Sequence, residues 1–188
     1  PPDSCISKFD EMRIISGRLK GRTIQPPKNL RARPTTDFAK ENLFNVLSNR
    51  IDFEGLDVLD LFAGTGSISY EFASRGAESV IAVEINTVHY NFIRQTADRY
   101  GLENLHPIKA NAFLYLKNCD KRFDIIFSDA PYDLEASDRV IDLVFARELL
   151  KPEGILIFEH SKKFDFSIHA KFYGSRSYGS AQFSLFKN

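Results

Sequence analysis

Three short stretches of this 188-residue chain bring together residue types that could do chemistry. The first is Asp60-Leu61-Phe62-Ala63-Gly64-Thr65-Gly66-Ser67. Two glycines one residue apart let a backbone turn sharply and approach a ligand closely. Asp60 puts an acid just ahead of that turn. The second is Glu84, 18 residues beyond Gly66, where a carboxylate can accept hydrogen bonds from ribose hydroxyls. The third is Asp129-Ala130-Pro131-Tyr132. An aspartate with backbone carbonyls beside it can accept both hydrogens of a planar exocyclic amine and keep the nitrogen directed at an electrophile. Pro131 stiffens that turn, and Tyr132 offers a face on which a base can stack.

Such residues need a scaffold that delivers them to one place. From Leu56 onward the sequence alternates between strand-like and helix-like runs. The predicted strands are 57–62, 79–84, 105–109, 123–128 and 154–160. They are continuous apolar runs, as expected of parallel strands covered on both faces. The predicted helices between them are 68–75, 87–100, 111–117 and 135–149. Two more strands, 170–173 and 182–187, flank turns at Gly174 and Gly179 and close one edge. The expected fold is α/β: a doubly wound, mostly parallel, seven-stranded, Rossmann-like sheet, with ligands bound outside the carboxyl ends of its strands. Ahead of it, 13–16 and 22–25 suggest a small hairpin, and Arg33-Pro34-Thr35-Thr36-Asp37 opens a helix that Thr35 or Thr36 can cap. Residues 1–11 read as a disordered leader or appended residues with Met12 as the natural start, 12–50 as a basic hairpin-and-helix extension, and 51–188 as the main domain.

Two ligands compete for the glycine turn. A dinucleotide fingerprint wants a third glycine where this chain has Ser69, and Asp60 would oppose a pyrophosphate. S-adenosylmethionine has no phosphate and carries a cationic amino group and sulfonium, which Asp60 suits. The four histidines share no metal-ligand spacing, and Cys5 and Cys119 make neither a disulfide framework nor a zinc site, so no metal is expected. No apolar run approaches the roughly 20 residues of a membrane span, and the start is not a secretory signal. The net charge is zero but uneven. Residues 13–50 hold nine basic residues and two acids, whereas 51–160 hold ten basic residues and nineteen acids. The basic stretch is either a solvated surface or a contact for a polyanion such as nucleic acid.

Taken together, these stretches resemble the class I S-adenosylmethionine-dependent methyltransferases. DAPY resembles the (D/N)PP(Y/F) motif of enzymes that methylate exocyclic amines of nucleobases. More narrowly, RIISGRLKGR, RPTTDFAKENLFNVL, DLFAGTGS, EIN, NA, DAPY and EHS follow one another as in the bacterial small-subunit ribosomal RNA guanine-N2 methyltransferases of the RsmD type. The resemblance implies methyl transfer from S-adenosylmethionine to guanine N2 of 16S rRNA or the small ribosomal subunit, by a cytoplasmic monomer. It implies that Asp60, Phe62, Ala63, Gly64 and Gly66 line the methionine end of the cofactor. Glu84 would bind its ribose, Ile85 would pack on its adenine, and Asn111 and Ala112 would sit at the adenine edge. Asp129, Ala130, Pro131 and Tyr132 would form the catalytic loop, with Ala130 departing from the usual proline. Arg13, Arg18, Lys20, Arg22, Arg31, Arg33, Thr35 and Thr36 would face RNA. An adenine-N6 methylase and a non-catalytic RNA-binding or ribosome-assembly protein of the same fold are the alternative readings.

Overall fold

The structure is a computed structural model describing residues 11–27, 30, 35–130 and 134–188. Strands β1 (Met12–Arg13) and β2 (Thr23–Ile24) form an antiparallel hairpin, followed by helix α1 (Asp37–Ser48). Then come β3 (Asp57–Leu61), α2 (Ser67–Ser74), β4 (Ser79–Glu84), α3 (Thr87–Tyr100), β5 (Leu105–Lys109), α4 (Ala112–Asn118), β6 (Phe123–Ser128), α5 (Leu134–Ala146) and β7 (Leu150–His160). Strands β8 (Phe172–Tyr178) and β9 (Ala181–Phe186) complete a seven-stranded sheet in the order β5-β4-β3-β6-β7-β9-β8. The ladders among β3 to β7 are parallel, and β9 runs antiparallel to both β7 and β8. The chain winds outward from β3 to β5, then returns to place β6 on the other side of β3. That reversal opens a crevice at the carboxyl ends of β3 and β6.

Neighbouring residues of a strand point to opposite faces, so each strand serves two cores. Val58, Val80, Ala82, Ile125, Phe127, Ile155 and Ile157 pack under the hairpin, α1, α2 and α3. Leu59, Leu61, Val83, Ile126, Leu156 and Phe158 pack against α4 and α5. The hairpin therefore shares one buried cluster with the sheet, through Met12, Ile14 and Ile24.

Helix α2 lies between the hairpin and the sheet, and every one of its residues is buried. Two of its polar side chains bond to the hairpin segment. Glu71 accepts from the N–H groups of Ile15 (2.9 Å) and Ser16 (3.0 Å) and pairs with Arg75 (2.8 Å). Ser74 Oγ accepts from Leu19 N–H and donates to the Ser16 carbonyl. Gly17 makes this approach possible. It has φ +81°, and a Cβ there would lie 1.9 Å from the Ser74 carbonyl oxygen.

Some boundaries differ from the expectation. The first strand stops at Leu61 because Phe62 takes a left-handed φ of 57° to begin the turn. Strand β7 begins at Leu150, four residues early, because a register shift lets Leu150 pair with Phe123 despite Pro152. Gly174 is not a turn. It sits inside β8 at a register shift on the sheet edge, a place where a glycine absorbs a bulge.

Candidate active site

The glycine turn is tied to the neighbouring strand at each step. Ala63 N–H donates to the Val83 carbonyl at 3.1 Å, and Gly64 N–H donates to Glu84 Oε2 at 2.8 Å. The other oxygen of Glu84 accepts from Asn86 N–H at 2.7 Å. Glu84 thus fixes both the turn after β3 and the turn after β4. Gly66 ends the turn in a left-handed conformation (φ 85°) and opens α2. A Cβ there would lie 2.7 Å from the Tyr70 ring, so α2 packs directly on the turn.

Asp60 is 2% exposed and accepts a hydrogen bond from Ser69 Oγ at 2.5 Å. Burial pushes its carboxyl up to about 7, and the nearby charges of Glu84 and Glu159 push the same way against the Ser69 bonds. A narrow cleft runs over this acid, bounded by Thr35, Asp60, Phe62–Thr65, Ser67, Ile68, Phe127 and Asp129. Its described lining holds two acids and no base, which suits a cation and opposes a phosphate. Asp60, Phe127 and Asp129 alternate onto the same sheet face, the one covered by α1 and α2. A larger cavity, with an empty volume of about 1120 Å³, lies near Leu56, Asp124 and Glu153 toward the amino ends of β3 and β6. It holds none of the predicted site residues and lies away from the carboxyl ends where open α/β sheets bind ligands.

Several residues at this cleft carry no motif in the sequence. Lys40 is 1% exposed, and its Nζ donates to the Arg13 carbonyl (2.7 Å) and Ser67 Oγ (3.2 Å), beside Asp37 at 3.4 Å. Burial lowers the pKa of its ammonium, with Asp37 and Glu71 opposing. It joins the hairpin segment, α1 and the glycine turn. Glu159, at the end of β7, is buried and accepts from Thr35 Oγ1 at 2.5 Å. The only sequence signal for Lys40 is a charge on the apolar face of α1, and for Glu159 an acid in an otherwise apolar strand.

The structure gathers Asp60, Phe62, Ala63, Gly64 and Asp129 around the cleft, with Gly66 behind it. Glu84 anchors the rim, and Ile85 beyond it is 60% exposed. Asn111 caps α4, its Oδ1 accepting from Phe113 and Leu114, and Ala112 is buried behind it. Ala130 is buried. Arg13, Lys20 and Arg22 are exposed on the hairpin segment. Arg18 donates to the carbonyl of Gly101 at 2.7 Å, capping the end of α3. Thr36 caps α1 by accepting from Ala39 N–H, while Thr35 turns inward to the cleft. Arg31, Arg33, Pro34, Pro131 and Tyr132 lie outside the described residues. His160 points to the α4–α5 side, bonded to the Ser161 carbonyl and Ser184 Oγ, and burial lowers its pKa. No metal-binding cluster occurs among the described residues, and no helix among them is long and apolar enough to cross a membrane.

Comparison with known proteins gives the family. A family model described as Conserved hypothetical protein 95 matches residues 12–187. A Buchnera aphidicola (subsp. Baizongia pistaciae) protein, ribosomal RNA small subunit methyltransferase D, is 33% identical over 153 residues, covering 81% of this chain and 78% of that one. The chain belongs to the ribosomal RNA small subunit methyltransferase D family. A second family member, from Buchnera aphidicola (subsp. Acyrthosiphon pisum), is 32% identical over 162 residues, covering 86% of this chain and 84% of that one. The solved structure of yhhF from Escherichia coli superposes with a TM-score of 0.81 at 25% identity, covering 95% of this chain and 98% of that one. The family match spans the hairpin segment as well as the sheet.

Proposed function

We propose that this methyltransferase transfers a methyl group from S-adenosylmethionine to the exocyclic N2 of a guanine in 16S rRNA, acting in the cytoplasm on the free RNA or the small ribosomal subunit. The observation that carries this is the cleft itself, where the glycine turn and Asp129 meet in a lining whose described residues include two acids and no base. S-adenosylmethionine supplies a methyl group on a positively charged sulfur. Asp60 and the Phe62–Gly66 turn hold its methionine end. Glu84 holds the ribose, since each of its oxygens accepts one backbone N–H and keeps a lone pair for a hydroxyl. Ile85 offers an exposed apolar face to a flat ring. The Oδ1 of Asn111 is engaged in capping α4, which leaves Nδ2 as the donor for a ring nitrogen.

Asp129 accepts the hydrogens of the target amine and orients its nitrogen. It stabilises the positive charge that grows there and takes the proton released. Alignment of this kind supplies about 7–11 kcal/mol of barrier reduction. The target base leaves its stack at a cost of a few kcal/mol, offset in part by phosphate contacts from the exposed Arg13, Lys20 and Arg22. Incubation with labelled cofactor and 16S rRNA from cells lacking the gene tests this. Nucleoside mass spectrometry should find N2-methylguanosine. N6-methyladenosine, or no incorporation into RNA or subunit, would overturn the reading.

Two further outcomes follow from the rim and the buried acid. Glu84→Ala removes two anchors of the turn along with the ribose acceptor. Each hydrogen bond to a charged group is worth about 1.5–3 kcal/mol, so calorimetry should find cofactor affinity reduced at least tenfold. Asp60 keeps its proton in the folded protein up to about pH 7, against 3.8 as the ordinary value. The folded state therefore binds more protons between those values, and this contribution to stability is lost as pH rises from about 4 to 7. A ligand ammonium favours the ionised form. Affinity for S-adenosylhomocysteine should rise about tenfold from pH 6 to pH 8, and Asp60→Asn should flatten that rise.

A further inference from the structure

We infer that the buried Thr35–Glu159 pair selects the target base by presenting an acceptor, and no donor, beside Asp129. The inference rests on the proposed reaction and adds the residues that would distinguish one base edge from another. Thr35 Oγ1 lies 2.5 Å from Glu159 Oε2, within the range of a charge-assisted O–H···O⁻ bond. Both residues are buried. A hydroxyl has one proton and two lone pairs, and Thr35 Oγ1 is the donor in this bond. The proton of Thr35 is therefore committed to Glu159, and what Thr35 presents to the cleft is lone pairs.

The topology sets this acceptor next to Asp129. The β6–β7 ladder runs through the pairs Phe127–Ile157 and Ser128–Phe158, so Asp129, just past β6, and Glu159, within β7, come next along the two chains. Both follow the alternation that puts Phe127 and Ile157 on the face beneath α1 and α2. Thr35 comes from the other side and lines the same cleft as Asp129. Two acceptors side by side match an edge with two adjacent donors. Guanine has that edge in N1–H and its N2 amine. Adenine and 2-aminopurine put an acceptor at N1 beside their amine, and a lone pair there meets the lone pairs of Thr35. Glu159 acts through Thr35 and is a positioning residue. Thr35 reads the base.

The experiment uses a synthetic RNA around the mapped target nucleotide, carrying guanine or 2-aminopurine at that position. Both bases keep the N2 amine, and they differ at the N1 proton. The full chain should prefer guanine in kcat/KM by roughly 10- to 100-fold, the discrimination expected of a matched pair of hydrogen bonds. Thr35→Val should bring the preference to within about threefold. Thr35→Ser, which restores the hydroxyl, should recover it. Glu159→Leu removes the acceptor and frees the Thr35 proton to turn toward the cleft, so kcat/KM for 2-aminopurine should rise above the parent value while that for guanine falls. A purely structural lesion lowers both. Calorimetric cofactor binding checks that each variant is folded. A parent enzyme that prefers guanine, with the preference unchanged in Thr35→Val and Glu159→Leu, overturns the inference and leaves the reaction standing. A parent that methylates neither RNA, and incorporates no label into small subunits from cells lacking the gene, overturns the reaction itself.

Discussion

Asp129→Ala should lower the rate of methyl transfer about a hundredfold to a thousandfold and leave cofactor affinity within about threefold. The asymmetry follows from where the residue sits. Asp129 is the first residue past β6, at the end of the cleft away from the Glu84 rim, while the rim and turn are held by Gly64, Glu84 and Asn86 among themselves. Removing its side chain takes away the acceptor for the amine and the negative charge that offsets the nitrogen's growing positive charge. Single-turnover kinetics with saturating RNA should show the loss in the chemical step, and calorimetry should show the cofactor bound as before. Asp129→Asn keeps the shape and a carbonyl acceptor for the amine, as the Asn form of the motif does, and should recover part of the rate. Near-normal turnover in Asp129→Ala would remove Asp129 from the mechanism.

Glu71→Ala should destabilise the fold by about 3–5 kcal/mol, the cost of breaking a buried ion pair by deleting one partner. The Glu71 side chain is fully buried. Its loss strands the N–H groups of Ile15 and Ser16 and removes the carboxylate from Arg75. Arg75 keeps only a 3.1 Å bond to Ser48 and its position over the rings of Phe44 (4.6 Å) and Phe53 (5.2 Å). For a chain of this size the midpoint of thermal unfolding should drop by roughly 10 °C. Glu71→Gln should recover part of the loss, because its amide oxygen still accepts from one N–H while its NH₂ opposes the other. A drop of less than about 2 °C in Glu71→Ala would show that the hairpin segment is held by its apolar contacts alone.

The elements with strong local signals were legible in the sequence. Strands β4, β5 and β6 and helix α3 have the expected boundaries. The strands are apolar runs between turn residues, and α3 starts at Asn86, whose side chain caps it, and ends at Gly101 in the left-handed conformation. The seven-stranded, mostly parallel sheet followed from their alternation. Elements with mixed signals were less legible. Pro152 and Glu153 hid the first half of β7, and Gly174 read as a turn because a bulge and a turn use the same residue. At the site, the glycine turn, Asp60, Glu84 and Asp129 stood out because each sits at a strand end with an exposed chemical reason. Lys40, Ser67, Ser69, Glu71 and Glu159 did not. The bonds that place them reach other elements, up to 124 residues away for Glu159 and Thr35, and no local spacing records those pairs.

The buried helix α2 also sets the rhythm at which the molecule opens. A hairpin with two-residue strands would by itself open almost freely, and its amide protons would exchange with solvent at once. Here the amides of Ile15 and Ser16 end on Glu71, and those of Arg18 and Leu19 end on Ser74. None can open without baring a charge or a polar group of α2, which packs directly on the central strands. In deuterated water these four protons should persist as long as those of β3, so the basic segment and the catalytic sheet unfold as one cooperative unit.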